Sequence, residues 1–212
     1  MTAAISVASA GAERARSELE RCIRAGGVAV FPADTLYGLA CDPLDGAAVE
    51  RIHALKGRDE GKPSAVMFFT PLAMRELLAA LAPRTRDALG ALLPGPVTAV
   101  VHNPGRRYPL ACREDPERLG IRLIEGPLAG AACPVFQTSA NPKGEPAPHR
   151  FEDIAPPILA GADVAIDGGK LGGKPSTVVD LTGIESGERS RVLREGAVST
   201  QEVERRLAAI GA

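Results

Sequence analysis

The sequence predicts an α/β protein built on a twisted, mixed β-sheet that helices cover. Strand-like and helix-like segments are intermixed along the 212 residues, without the strict alternation of a doubly wound fold. A chain of this length can bury a substantial core. Because no internal repeat or linker-like tract divides it, we expect a single domain over residues 1–212, with its core at about 12–198.

Eight short apolar runs predict the strands. Each is too short for a helix and rich in β-branched or aromatic residues, and turn residues bound most of them. They are residues 28–31, 65–69, 97–101, 120–124, 134–138, 163–166, 177–181 and 191–194.

Apolar residues at helical spacing predict the helices. The first, 12–25, stops at Gly26 and Gly27. Asp45 caps a second helix that ends at Gly57. Thr70 and the proline after it open a third, with Leu72 on its apolar face. The remaining helices are predicted at residues 84–93, 151–159 and 203–210, the second of these interrupted by two prolines. Residues 103–118 are predicted to be an irregular loop.

Composition and charge exclude several functional classes. The formal net charge of −1 disfavours a protein that holds long nucleic acid through its phosphates, because such proteins need a basic surface. Cys22, Cys41, Cys112 and Cys133 form no paired spacing, so we expect buried reduced thiols and no metal site. Residues 1–11 are small and polar, without a charged start and an apolar block, so we expect no signal peptide. No apolar run comes near the ~20 residues that span a bilayer. We therefore expect a cytoplasmic protein with no membrane partner.

The first candidate site lies between the strand 28–31 and Pro63. Lys56, Arg58 and Lys62 fall within seven residues, on a glycine-containing loop that faces the strand exit. One interpretation is a solvated loop, because cations are favoured after a helix C-terminus. The other is a clamp for phosphate groups, in which arginine supplies a planar fork and lysine a movable charge.

Two more segments follow strands. Ser139 and Asn141 place a hydroxyl and an amide after the strand 134–138, where they either cap the turn or contact a ligand. Ser139 lacks the flanking glycines of a nucleophile elbow. Residues 168–177 nearly form a P-loop, but Pro175 stands where the motif needs a hydroxyl, and a strand follows instead of a helix. With the P-loop rejected, the remaining functional interpretation is a glycine-rich loop that brings Ser176 close to a ligand. Arg194 ends the last strand.

Together these segments resemble the YrdC-like threonylcarbamoyl-AMP synthase family. The resemblance spans roughly residues 18–198, and its pieces keep the family's order. They are the segments 31–39, 56–58 with 62–63, 94–98, 138–141, 175–177 and 194–196.

The resemblance implies a YrdC-like fold and an activity. L-threonine, bicarbonate and ATP would give L-threonylcarbamoyl-adenylate and pyrophosphate, for the t6A modification of tRNA. Since the reaction joins two anions, cations and preoriented donors suit its catalysis. Mg²⁺ would enter with ATP, and tRNA or other proteins of the t6A pathway are candidate partners.

The resemblance also implies residue roles. Lys56, Arg58, Ser139 and Asn141 would be catalytic. These four would also bind ATP, together with Lys62 and Arg194. Threonine would lie against a third set, which consists of Thr35, Arg122 and Ser176.

Several positions depart from the family's pattern. The family usually has Glu where this chain has Asp34, and a small hydroxyl residue near Arg118, while Ile124 stands where a proline is usual. These departures concern the threonine pocket more than the phosphate clamp. Two alternatives remain: a carbamoyl-adenylate-forming enzyme with another substrate, and a non-catalytic RNA-binding module of the same fold. Scarce aromatic residues count against the second alternative.

Overall fold

The computed structural model describes residues 4–57 and 63–211. Within these ranges, a ten-stranded sheet forms the centre. Its strands are β1 Ala4–Ser6, β2 Ala29–Pro32, β3 Tyr37–Cys41, β4 Ala65–Phe68, β5 Val97–His102, β6 Arg118–Leu123, β7 Val135–Ser139, β8 Val164–Asp167, β9 Thr177–Asp180 and β10 Arg191–Arg194. The α-helices are α1 Val7–Ala10, α2 Ala12–Arg24, α3 Gly46–Lys56, α4 Arg75–Ala80, α5 Pro83–Leu92, α6 Pro109–Cys112, α7 Pro156–Gly161 and α8 Thr200–Ala208.

The sheet is mixed, as predicted. Its strand order is β1-β8-β2-β3-β7-β4-β6-β5-β9-β10. The pairs β1–β8, β8–β2, β4–β6 and β5–β9 are parallel. The other neighbours are antiparallel. One face of this sheet is covered along its length and the other only in part.

The first face carries the larger core. Alternate strand residues such as Leu39, Val66 and Ile121 point into it and are fully buried. They meet apolar residues of α3, α4, α5, α7 and α8. Because side chains alternate between the two faces of a strand, the residues between these point to the opposite side.

The second face is divided into a packed part and an open part. Helix α2 covers the β8, β2, β3 and β4 region with a smaller core that includes Leu19, Phe31 and Met67. This cover does not extend over β6, β5 and β9, where residues such as Thr98, Gly120 and Val178 line a cavity. The functional site lies where the helical cover ends.

A segment that we call the strap, residues 168–176, joins β8 to β9. Seven strand spacings separate these strands in the sheet, which would be about 34 Å if the sheet were flat. Ten residue steps reach about 35 Å only when fully extended. The strap instead bends to meet other segments, since Gly173 N–H bonds the Thr35 carbonyl at 3.0 Å and Leu171 N–H bonds the His149 carbonyl at 2.8 Å. The sheet must therefore curl, and the strap crosses its concave face.

Most predicted elements are confirmed. Each of the eight predicted strands is present to within two residues, and the strap leads into β9 rather than a helix, as expected. The four cysteines are free thiols, and burial raises the pKa of Cys22 to about 11. Cys133 is only partly buried, unlike the other three.

Two predictions about helices and loops were wrong, and two strands, β1 and β3, were not predicted. The helix expected after Thr70 begins at Arg75 instead, because Thr70 Oγ1 accepts the Ala73 N–H at 3.1 Å and closes a separate turn. Leu72 accordingly lies in that turn and is 73% exposed. The loop 103–118 contains the short helix α6. Strand β3 was missed because all five of its residues are buried, so it shows no alternation.

Candidate functional site

The open part of the second face forms a cleft of about 640 Å³. Strands β5, β6, β7 and β9 form its floor, and its walls are residues 35–37, the end of α3, the segment 139–147 and the end of the strap. Every predicted site residue that lies within the described ranges lines this cleft. They are Thr35, Lys56, Arg122, Ser139, Asn141, Ser176 and Arg194.

Lys56 enters the cleft from the last turn of α3. The helix begins where the Asp45 carboxylate accepts the Ala48 N–H, and it ends at Gly57, which adopts a left-handed conformation. Only 5% of Lys56 is exposed. Such burial favours a lysine whose ammonium group is fully hydrogen-bonded. The cap prediction at Asp45 is confirmed, and α3 fixes where the lysine arrives.

The Lys56 ammonium group holds the segment that follows β7. It donates to the main-chain carbonyl of Ser139 and, at 2.6 Å, to that of Asn141. Its Nζ also lies 3.5 Å from Ser139 Oγ and 3.2 Å from Asn141 Oδ1. The Asn141 amide nitrogen donates to the Glu145 carbonyl at 2.6 Å, which orients the amide oxygen toward the lysine. The structure thus brings together two motifs about 80 residues apart in the chain.

Arg58 and Lys62, the other two cations of the predicted phosphate clamp, lie outside the described residues. Their predicted role therefore stays a prediction. The last described residue before them, Gly57, directly follows Lys56 at the cleft wall.

Arg122 and Asp34 form a buried ion pair at the other end of the cleft. The sheet register places Arg122 level with Val135, four residues before Ser139 on β7. The side chains are 4% and 10% exposed. Burial raises the pKa of Asp34, while the Arg122 charge opposes that rise. Asp34 Oδ2 and Arg122 Nε are buried without hydrogen-bond partners within the described residues. Arg122 therefore carries a positive charge that one carboxylate contact balances.

Hydroxyl groups lie near this pair. Thr35 is 3% exposed and lines the cleft. Ser176 Oγ lies 2.8 Å from Thr98 Oγ1, and the Arg194 guanidinium donates to the Ser176 carbonyl at 2.8 Å. A Cβ at Gly196 would lie 2.2 Å from the Pro175 carbonyl oxygen, so only glycine allows the chain after β10 to pack against this segment. That close approach explains the glycine two residues after Arg194.

Arg118 lines the cleft but bends toward an acidic partner. Its guanidinium donates to Asp180 Oδ2 at 2.7 Å, and Arg191 donates to the same oxygen at 3.0 Å. Burial would raise the pKa of Asp180, but the bonds from Thr182 and both arginines outweigh it and lower that pKa to about 2. Ile124 lies in the smaller core, 2% exposed, and is not among the residues that line the cleft.

Sequence reasoning missed three contributors to this site. Asp34 was noticed only as a departure from a family pattern, although a carboxylate beside an arginine defines this end of the cleft. Thr98 was assigned to a strand without a role, yet its position opposite the buried Val97 and Ala99 in the alternation could have shown that it faces a cavity. Asp180 ends β9, and nothing in the sequence connects it with Arg118.

Two searches for other kinds of site found nothing in the described part of the chain. No group of three or more His, Cys, Asp or Glu residues there is arranged to hold a metal ion. None of the described helices is long and apolar enough to cross a membrane.

Known proteins match this chain in sequence and in fold. The protein-family model for Sua5, YciO and YrdC proteins, described as "Telomere recombination", matches residues 21–196. A Chromohalobacter salexigens protein named threonylcarbamoyl-AMP synthase is 35% identical over 176 residues, covering 80% of this chain and 92% of that protein. P. abyssi Sua5, solved in complex with L-threonine, has a TM-score of 0.83 and 27% identity over 97% of this chain, which spans 61% of that one. E. coli YciO has a TM-score of 0.80 and 24% identity, covering 96% of this chain and all of that chain.

Proposed function

Because this chain belongs to the Sua5/YciO/YrdC family, we propose that it is a nucleotidyltransferase that forms L-threonylcarbamoyl-AMP and pyrophosphate from L-threonine, bicarbonate and ATP. The observation that carries the proposal is the single cleft that holds Lys56, Ser139 and Asn141 at one end and Arg122, Thr35 and Ser176 at the other. An enzyme that joins two anionic reactants needs cations at both. Relatives named threonylcarbamoyl-AMP synthase support the same reaction.

The chemistry takes place in two steps. The threonine amine attacks the carbon of bicarbonate, a C–N bond forms, water leaves, and the product is a carbamate anion. A carbamate oxygen then attacks the α-phosphorus of ATP. A new P–O bond forms, the bond between the α-phosphorus and its bridging oxygen breaks, and pyrophosphate departs with that oxygen. Holding the two reactants in line supplies much of the rate enhancement.

The Lys56 end of the cleft is the proposed phosphate site. Its ammonium group contacts the carbonyl and amide oxygens of the segment 139–141. These contacts fix the position of the positive charge before ATP binds. We assign the ATP phosphates to Lys56, Arg58 and Lys62, and contacts with nucleotide and carbamate to Ser139 and Asn141. Arg194, anchored on Ser176, would contact the nucleotide from the opposite wall.

The Arg122 end is the proposed amino-acid site. The guanidinium would bind the threonine carboxylate, since arginine donates to a carboxylate with two parallel N–H groups. Thr35, whose main-chain carbonyl accepts the Gly173 N–H, forms a wall of this site. Ser176 supplies a hydroxyl group beside it. Arg118 is already engaged by Asp180, and Ile124 lies in the core, so neither departure from the family pattern occupies the place of threonine.

The remaining components are also proposals. Mg²⁺ would enter as the ATP complex and be held mainly by phosphate oxygens, because it keeps most of its other ligands as water. The product would be consumed in the t6A modification of tRNA, and tRNA or proteins of that pathway would be the partners. The site of action would be the cytoplasm.

The test is pyrophosphate release by purified protein supplied with MgATP, L-threonine and bicarbonate. We expect release that stops when either threonine or bicarbonate is omitted, and a product with the mass of threonylcarbamoyl-AMP. Release that continues unchanged without threonine would overturn the substrate assignment. Release that requires carbamoyl phosphate instead would favour the carbamoyl-adenylate-forming alternative.

A further inference from the structure

The ion pair between Asp34 and Arg122 is incomplete. Within the described residues, Asp34 supplies the one hydrogen bond found for the Arg122 guanidinium. The second carboxylate oxygen of Asp34 and the Nε of Arg122 are buried and unbonded in the same part of the chain. A buried pair that serves stability needs its remaining polar atoms satisfied, because desolvation otherwise exceeds the Coulombic gain. This pair is therefore poorly explained by a contribution to stability, which points to a functional role.

The pair separates two cavities. Arg122 lines the main cleft, Asp34 lines a second cavity of about 260 Å³ beneath the strap, and Thr35 lines both. Asp34 belongs to a firmly held turn, since Ala33 N–H bonds the Leu36 carbonyl at 3.2 Å and the strap's Gly173 bonds Thr35. The Asp34 carboxylate thus contacts the Arg122 guanidinium from the side of the second cavity. The opposite side of the guanidinium faces the main cleft.

Charges of both signs act on the ion pair. Arg194 lies close enough to Arg122 that, after burial, its charge also acts to lower the Arg122 pKa, whereas Asp34 acts to raise it. Glu125, which is exposed, also acts on Asp34, as the weakest of the influences on its pKa. A carboxylate bound on the cleft side of Arg122 would give the guanidinium a second charged acceptor in a site of low dielectric. An amino acid supplies that carboxylate.

We propose that Asp34 is a positioning residue for the amino-acid substrate, which holds the Arg122 guanidinium in the orientation that binds the substrate carboxylate. The proposal rests on the proposed function, because it takes the amino acid as the ligand of this end. Asp34 does not touch the substrate in this arrangement. It acts by fixing the guanidinium plane and by keeping Arg122 charged despite its burial.

The test compares Asp34→Asn with Asp34→Glu. The amide keeps the shape of the side chain but loses its charge, so we expect the KM for threonine to rise about 10- to 100-fold, the range for one charge-assisted contact. The ATP affinity, measured by calorimetry, should stay within about twofold, because the Lys56 end is unchanged. Asp34→Glu keeps the charge and should recover most of the threonine affinity.

Asp163→Asn is the matched control. Asp163 also pairs with an arginine, Arg51, at 2.9 Å and accepts the Val28 N–H, but it lines neither cavity. We expect this variant to lose stability without a change in the threonine KM. A threonine KM that Asp34→Asn leaves unchanged, or an ATP affinity that falls together with it, would overturn the inference.

The experiment separates this inference from the proposed function. Wild-type protein that binds threonine in calorimetry but releases no pyrophosphate would refute the proposed reaction, and the threonine affinities of wild type and variant would still decide the role of Asp34. If Asp34→Asn does not fold, Asp34→Ser, which removes the charge with a smaller side chain, takes its place. A threonine affinity at least about tenfold below that of wild type supports the inference, and an unchanged affinity overturns it.

Discussion

The two ends of the cleft hold their cations by different means. At one end, Lys56 contacts carbonyl, hydroxyl and amide oxygens of a single segment, 139–141. At the other, Arg122 contacts the carboxylate of Asp34. Both cations are about 95% buried. The first is held largely by main-chain geometry, whereas the second is held by one side chain and its charge.

This difference determines how each end responds to substitution. Main-chain carbonyls cannot be removed by a point mutation, so the cation at the Lys56 end is lost mainly when the lysine itself changes. The Arg122 end depends on a partner whose loss leaves a buried charge without compensation, and that costs more than the pair contributes. We therefore expect the phosphate end to lose binding and the amino-acid end to lose folding stability.

The largest effect is expected when Arg122 is replaced alone. Arg122→Met should lower the free energy of unfolding by about 3–5 kcal/mol, because Asp34 is left buried without its partner. The double variant Arg122→Met with Asp34→Leu should recover most of that stability while threonine binding remains lost. Urea denaturation gives both free energies. A single variant that stays within about 1 kcal/mol of wild type would contradict the contrast between the two ends.

A smaller effect is expected for Lys56→Met. The methionine keeps the buried stem and removes the charge, so ATP binding should weaken by about 1.5–3 kcal/mol, the range for a charge-assisted contact. Calorimetric titration with MgATP measures it. Lys170→Met, which removes an exposed charge on the strap, is the control. Equal ATP affinity for Lys56→Met and wild type would mean that Lys56 holds the segment 139–141 without binding phosphate.

The smallest effect concerns Asp180, where one carboxylate holds Arg118 and Arg191. Its pKa of about 2 lies below the ordinary 3.8, so its contribution is complete above pH ~4 and is lost as the pH falls toward 2. We expect the difference in unfolding free energy between wild type and Asp180→Asn, about 2 kcal/mol near neutral pH, to shrink across that interval. A difference that stays constant from pH 5 to pH 2 would refute this coupling.

Local patterns predicted most of the fold but less of the site. Short apolar runs such as 97–101 identified strands, because a run of that length bounded by turn residues is too short for a helix and is typical of a buried strand. Strand β3 escaped because it is buried on both faces, and such a strand has no alternation to detect. Local patterns singled out most of the site residues that line the cleft, but Thr35 and Arg122 came only from the family resemblance. Their pairings, such as Asp34 with Arg122, join positions 88 residues apart, and spacing along one chain carries no information about such contacts.

The strap has a mechanical consequence. Because residues 168–176 connect β8 and β9, near opposite edges of the sheet, their length limits how far apart these strands can lie and hence how far the sheet can flatten. The Tyr37 hydroxyl secures the strap, accepting the Gly168 N–H at 3.0 Å and donating to the Gly169 carbonyl at 2.7 Å. An inserted residue costs little in most surface loops. Here each added residue would slacken the strap and let the sheet flatten further.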